Sequence, residues 1–249
     1  MQKLKSRVFV CGDTHGIQLD TKKLSNKNFP EAKSLSKEDV VIQLGDFGWL
    51  WYPPEKNDKD QEHWLDWLAE RPFTIAVVPG NHENYDLIEG LPVETKWGND
   101  VRVLQRKGGN IYILERGRIY TINGKKILAV GGAMSTDKHR RKEGIDWWPQ
   151  ELLSKEEENV CLNEIDHHNR KVDFVCTHTC PARIIPSLDL PPYMGMRIKD
   201  PVSKFLDFID NLLEFKEWHF GHFHVDQRII DSGGDIYHCH YINPPYELL

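Results

Sequence analysis

Short apolar runs recur along the chain, and several stop at a polar cluster. Val8-Phe9-Val10 runs into Gly12-Asp13-Thr14-His15-Gly16, Val40-Val41-Ile42-Gln43-Leu44 into Gly45-Asp46, and Phe73 to Val78 into Pro79-Gly80-Asn81-His82-Glu83. Runs this short predict buried strands. Between the last two lies Asp58 to Arg71, where Trp64, Leu65, Trp67 and Leu68 share one helix face and Asp58 or Asp60 is placed to cap the start. Strand, helix, strand is the pattern of a parallel crossover.

After Asn84 the pattern changes. Ile111 to Leu114, Ile119 to Ile122 and Lys126 to Val130 read as short strands joined by Glu115-Arg116-Gly117-Arg118 and Asn123-Gly124-Lys125. Asn-Gly is a hairpin signal. A helix is predicted from Gln150 to His168, a strand from Val172 to Cys176, a helix from Val202 to Phe215 and a strand from Glu217 to Phe220. Ile229-Ile230 and Ile236-Tyr237 close the pattern around Ser232-Gly233-Gly234. With no repeat or linker visible, residues 1–249 are expected to form one domain of two packed sheets flanked by helices. Three irregular stretches, Trp49 to Pro54, Ser135 to Pro149 and Pro181 to Pro201, begin beside strand ends or motifs and are expected to ring a site.

Composition narrows the class. With 39% hydrophobic and 28% charged residues, a soluble globular chain with a sizeable core is expected. A formal net charge of −6 argues against a protein that coats a nucleic-acid backbone, though metal cations can still bring a nucleotide to it. Met1 to Val8 holds no apolar stretch of signal-peptide length, and no run approaches the ~18 apolar residues of a membrane span. The five cysteines (11, 161, 176, 180 and 239) form no CxxC pair. Buried reduced thiols in a cytoplasmic protein are therefore expected, not a disulfide framework or zinc ribbon.

The polar clusters, with Thr177-His178 and Gly221-His222-Phe223-His224, pool aspartate, asparagine and histidine at strand ends. Open α/β sheets bind ligands at that edge. Asp13 and His15 flank a turn and can reach one ion; Asp46 has two oxygens and can bridge two; Asn81 offers an amide oxygen, and His178, His222 and His224 offer imidazole nitrogens. Such mixed ligands suit Mn²⁺, Fe or Zn²⁺ better than Ca²⁺, with Mn²⁺ the first choice. The glycines at 12, 45, 80 and 221 leave room for tight turns.

In this order, Asp-x-His, Gly-Asp, Gly-Asn-His-Glu, His and Gly-His-x-His make the chain resemble the calcineurin-like metallophosphoesterase superfamily over residues 12–224. The resemblance implies a four-layer α/β/β/α sandwich of two mixed sheets, with a binuclear metal site at the strand ends. It implies one ion held by Asp13, His15, Asp46 and His224, and another by Asp46, Asn81, His178 and His222. It also implies that His82 contacts the phosphate, stabilising charge or protonating the leaving oxygen, and that water is the nucleophile. Asp46 and His82 are thus the catalytic candidates.

The Ser/Thr protein phosphatase branch of that superfamily continues its second motif as Gly-Asp-x-x-Asp-Arg-Gly. Here Trp49 stands at the aspartate that would orient His82, and Leu50 at the phosphate-gripping arginine. Glu83 is adjacent and reads as a turn residue. Asn81, His82, Arg140 and Arg141 are the candidate substrate contacts, the two arginines weighed against a solvated basic loop. Trp49, Trp51 and Tyr52 either stack on a flat group or pack under their loop, and packing is favoured for at least one of them. Trp147 and Trp148 read as core. His167 and His168 read as exposed near a helix end, and His63 as a helix residue away from the motifs. His219 reads as a candidate to orient a ligand. His238 and His240 share one strand face, and a further metal site there is the minority reading; thiolate ligation by Cys176 or Cys180 is not expected.

The expected activity is hydrolysis of a phosphate ester by in-line attack of a metal-bound hydroxide. Diester or nucleotide substrates are favoured over monoesters, because the arginine is missing and aromatic residues follow Asp46. No membrane partner and no stable nucleic-acid complex are implied. The rivals are a Ser/Thr-type protein phosphatase of relaxed specificity and a catalytically silent metal-binding module.

Overall fold

In the computed structural model, which describes residues 6–191 and 199–249, every apolar run that precedes a motif is a strand. The elements in order are β1 (Val8–Cys11), α1 (Gln18–Thr21), β2 (Val40–Gln43), α2 (Lys59–Ala69), β3 (Thr74–Val77), α3 (Tyr85–Glu89), β4 (Val93–Lys96), β5 (Asn99–Arg106) and β6 (Gly109–Leu114). They continue as β7 (Arg118–Ile122), β8 (Lys125–Val130), α4 (Lys155–His167), β9 (Phe174–Thr177), α5 (Pro201–Asp210), β10 (Glu217–Phe220), β11 (Gln227–Ile230), β12 (Ile236–Cys239) and β13 (Tyr246–Glu247).

Two mixed sheets result, in the orders β13-β1-β2-β3-β6-β5-β4 and β11-β12-β10-β9-β8-β7. Strands β1, β2, β3 and β6 run parallel, as do β8, β9, β10 and β12; the outer strands are antiparallel. Three apolar layers follow from the side-chain alternation of the strands. Val8, Val10, Val40 and Ile42 of one sheet meet Ile122, Ile127, Phe174 and Cys176 of the other. On the far face of the first sheet, Phe9, Val41, Ile75 and Val77 pack under Leu65, Leu68 and Ala69 of α2. On the far face of the second, Leu128, Val175, Trp218 and Phe220 pack under Cys161 and Ile165 of α4 and Leu206 and Ile209 of α5. Helix, sheet, sheet, helix is the expected four-layer α/β/β/α sandwich.

Register decides where the motifs end up. Cys11 pairs with Gln43 and Gln43 with Val77, so β1, β2 and β3 finish level. Trp218 lies beside Val175, so β9 and β10 finish together as well. All five motifs therefore emerge at carboxyl ends of parallel strands. Trp218 is buried without an orphaned donor, because its indole N–H reaches Thr177 Oγ1 at 2.8 Å, one residue before His178.

Several boundaries differ from the pattern read along the chain. Helix α4 begins at Lys155, not Gln150, because Ser154 and Glu157 form a capping box; Gln150 lies in a 3₁₀ turn, Pro149–Glu151. Asp58, rather than Asp60, caps α2 by accepting from Gln61 N. Asp200 caps α5, which ends at Asp210, short of Phe215. The Asn123-Gly124 hairpin joins β7 and β8, but β6 and β7 are not partners. Strand β6 is already paired with β3 and β5, so the chain crosses to the other sheet. Strands β4, β5 and β13 lie outside the apolar runs of the sequence pattern. They are edge-side strands whose few inward residues, such as Val101 and Val103, leave little apolar signature. Of the Pro181 to Pro201 stretch, residues 192–198 lie outside the described residues, as do residues 1–5 of the amino terminus. Among the described residues no helix is long and apolar enough to cross a membrane.

Candidate metal centre and active site

The turns after the strands bend sharply, and the candidate ligands carry the bend. Of nine non-glycine residues with positive φ among those described, four are His15 (50°), Asp46 (50°), His222 (66°) and His224 (55°). Backbone in this region costs free energy and is held only where surrounding contacts over-determine it. Two glycines make the close approach possible. Gly45 has φ +91° and lies where a Cβ would run into the His178 ring; a Cβ on Gly221 would meet Asp13 Oδ1. Asp13 in turn accepts the His222 N–H on both oxygens, at 3.1 Å each, tying the first motif to the last.

Two groups of donors converge there. In one, Asp13, His15 and His224 present ligand atoms within 4.8 Å of one another; in the other, Asp46, His178 and His222 do. His224 Nε2 is 3.4 Å from Asp13 Oδ2 and 3.0 Å from His15 Nε2. In the second group the His178 and His222 rings meet at 4.8 Å between centroids, and Asn81 Oδ1 is 3.0 Å from His178 Nε2. Asp46 stands between the groups. Its Oδ1 is 3.2 Å from His178 Nε2, and its Oδ2 is 3.7 Å from His15 Nε2.

This donor set fits a cation. Leu44 O lies 2.8 Å from His178 Nδ1 and accepts its hydrogen, which in the neutral ring leaves a lone pair on Nε2. That lone pair faces Asn81 Oδ1 and Asp46 Oδ1, and all three residues are buried. Three acceptors pointing at one another repel unless positive charge lies among them. In the protein alone a proton fills that role. Burial would lower the His178 pKa, but the Asp46 charge and hydrogen bond outweigh it and push it up to about 9. Burial likewise opposes ionisation of Asp46, yet His178, His82 and His15 around it hold its carboxyl well below the usual range.

The surroundings contain residues that sequence reasoning missed. Asp20, on α1 and buried, lies 3.0 Å from His15 Nδ1, so that Nε2 is turned toward the cluster. Lys23 is buried and donates to the carbonyls of Gly12 (3.2 Å), Asp13 (2.6 Å) and Tyr241, bracing the first turn. Neither has a local sequence signal. Glu83, read from the sequence as a turn residue, accepts backbone N–H groups from Phe47 (2.7 Å), Gly48 (3.2 Å) and Gly80 (3.2 Å) and steadies the turns around Asp46. Ser135 Oγ takes the Asn81 amide N–H at 3.0 Å, leaving Oδ1 toward His178.

His82 is half-buried, and its backbone N–H reaches Asp46 Oδ1 at 2.7 Å. Burial lowers its pKa; the Asp46 charge opposes this and Arg141 adds to it. Arg141, whose charge is felt at His82, is braced by Asp137 Oδ1 at 2.8 Å and Asp146 O at 3.1 Å. Arg140 is exposed on the 3₁₀ turn Lys138–Arg140, and none of its described contacts reaches the cluster. Trp49 is buried and stacks on Trp64, whereas Trp51 and Tyr52 are half-buried. Trp148 is buried, its indole N–H on Asp86 Oδ2 at 2.8 Å. The described contacts of His219 do not reach the candidate ligands. The β10 alternation turns it between the sheets, where Nδ1 lies 3.0 Å from His240 Nε2 and Nε2 lies 3.3 Å from Glu217 Oε2. His238 and His240 stack against it, and these rings do not form a three-donor metal group among the described residues.

A family model described as calcineurin-like phosphoesterase matches residues 6–226, a span that includes all five motifs. No curated protein sequence matches the chain. Solved structures similar to it include a phosphopantetheinyl hydrolase from Mycobacterium tuberculosis, at 16% identity and a TM-score of 0.45 over 96% of this chain and 90% of that one. A dimetal phosphatase from Danio rerio matches at 12% identity and a TM-score of 0.48 over 96% and 88% of the two chains. A 5'-nucleotidase from Candida albicans matches at 12% identity and a TM-score of 0.38 over 94% of this chain and 45% of that one.

Proposed function

The chain belongs to the calcineurin-like phosphoesterase family, and from that premise we propose that it hydrolyses phosphate esters with two divalent ions. Asp13, His15, Asp46 and His224 hold one ion; Asp46, Asn81, His178 and His222 hold the other. The observation that carries this reading is Asp46, whose two oxygens lie 3.2 Å from His178 and 3.7 Å from His15. When bound, the ions neutralise phosphate charge and lower the pKa of an attacking water.

The chain's own residues orient the ligands and donate hydrogen bonds. Leu44 O and Asp20 fix the orientations of His178 and His15, so that each turns Nε2 inward. His82, kept neutral by burial, still carries one imidazole N–H to offer to an oxygen of the ester. Arg141, braced by Asp137, is the arginine we assign to the phosphate; exposed Arg140 is not needed. Mn²⁺ is the ion we favour, with Fe or Zn²⁺ also suited to these donors.

We favour diester or nucleotide substrates, because Leu50 replaces the protein-phosphatase arginine and half-buried Trp51 and Tyr52 line one cavity with His82. One domain over residues 1–249 is proposed on the apolar layer the two sheets share. Five buried free thiols suit a reducing, cytoplasmic setting. The test is turnover of an aryl phosphomonoester and its matching diester by metal-stripped protein refilled with Mn²⁺. Metal-dependent hydrolysis with the diester preferred is expected. Monoester preference would favour a phosphatase. No turnover with two ions bound would reduce the protein to a metal-binding module.

A further inference from the structure

Beside the candidate metal centre lies a cavity of about 460 Å³, whose wall runs from His15 and His82 out to Trp51, Tyr52, Asp58 and Asp60. That volume is in the range that holds a small molecule. The wall is built before any ligand arrives. Gln61, buried on α2, accepts from Trp51 N at 2.8 Å and Tyr52 N at 2.7 Å, and its amide donates back to Tyr52 O at 2.8 Å. Asn84 donates to Trp51 O at 2.8 Å, and the Trp51 ring meets Trp148 edge-on at 5.4 Å. The half-exposed Trp51 ring, held this way, offers flat contact at little entropic cost.

The charge of the wall is negative. Asp58 caps α2 through Gln61 N at 3.0 Å. Asp60 is exposed on the first turn of α2 and makes no side-chain hydrogen bond or ion pair among the described residues. The cation of this loop, Lys56, places its ammonium over the Tyr52 ring at 3.0 Å from the centroid. Carboxylates accept hydrogen bonds and donate none, so this rim suits amino groups or cations and repels anions.

Position settles which part of a substrate would enter. His82 belongs both to the cavity wall and to the edge of the candidate metal centre. An ester oxygen that accepts a hydrogen bond from the His82 ring carries the rest of its molecule toward Trp51 and Tyr52. Resting on the phosphoesterase reading, we propose that this cavity receives the leaving group of the ester, and that it selects a flat group that is uncharged or cationic, such as a nucleoside. Leaving groups bearing a further phosphate or carboxylate are disfavoured by Asp58 and Asp60.

The test uses the full chain loaded with Mn²⁺ and three methyl aryl phosphodiesters whose para substituent is nitro, carboxylate or trimethylammonium. For each ester, kcat/KM of Asp60→Lys is divided by that of the wild type, so the intrinsic reactivity of each phenol cancels. Asp60 is exposed, so folding tolerates the change. In parallel, adenosine, which has no phosphate, is titrated against the tryptophan fluorescence of the wild type and of Trp51→Ala. The ratio should be highest for the carboxylate ester and lowest for the trimethylammonium ester, with a spread of about fivefold. Adenosine should quench saturably, on the order of tenfold more weakly in Trp51→Ala. Equal ratios for three esters that are all turned over would overturn the proposal and leave the hydrolase reading standing. If no ester is turned over, saturable adenosine binding weakened by Trp51→Ala would support the cavity and place the failure in the hydrolase reading. Neither turnover nor adenosine binding would overturn both.

Discussion

Loading the stripped protein with metal should expel a proton from His178, and the size of the effect follows from the site. Asp46 Oδ1 lies 3.2 Å from His178 Nε2, and the His178 pKa is pushed up to about 9 in the protein without metal. A metal needs the Nε2 lone pair, so the ion and the proton compete. At pH 8 a group with that pKa is about nine-tenths protonated, whereas an ordinary histidine is nearly neutral. Binding of the ion at this group should therefore release about 0.9 proton at pH 8 and about 0.1 at pH 10. Displacing the proton costs about 1.4 kcal/mol at pH 8 and about 2.7 kcal/mol at pH 7. Affinity at this group should rise about tenfold per pH unit up to pH 9 and then level off. The sign is that of a raised histidine pKa: without metal, the protonated pair contributes stability that is full below pH ~6.5 and lost as pH rises through 9. Calorimetric titration with Mn²⁺ in buffers of different ionisation enthalpy counts the released protons. Affinity independent of pH from 7 to 9, with no proton released, would refute the placing of His178 at the ion.

Asp46→Asn should abolish turnover and leave at most one ion bound per chain, by elemental analysis, while the circular dichroism spectrum persists; a fully active variant would remove the bridging role. Asp20→Asn weakens the hydrogen bond that orients His15 at 3.0 Å, and metal affinity should fall about 10–100-fold, read by competition with a chelator. Unchanged affinity would make Asp20 merely structural. Ser154→Ala removes the capping box of α4 and should cost about 1 kcal/mol in urea unfolding, with kcat/KM unchanged, since α4 packs on the far side of its sheet from the other sheet.

Much of the site was legible because its information is local. A buried parallel strand announces itself in four apolar residues, as in Val8–Cys11 and Val40–Gln43, and the residue types that bind metal follow directly after. Chain order and residue chemistry therefore pointed to the central strands and the seven candidate ligands, and the family resemblance those motifs carry implied the class of reaction. Edge strands were not legible: Val93–Lys96 is mostly exposed, and Tyr246–Glu247 pairs with β1 across nearly the whole chain. Supporting contacts were not legible for the same reason. Asp20 looks like an ordinary surface aspartate until α1 sets it against His15, and Glu83 finds its donors at Phe47 and Gly48. His219 shares the histidine-rich composition of the site, yet strand alternation faces it between the sheets. Which oxygen of Asp46 faces which histidine, which arginine is braced by Asp137, and whether Trp49 or Trp51 is buried were decided only by tertiary structure. These depend on contacts between residues far apart in the chain, and only packing brings such residues together.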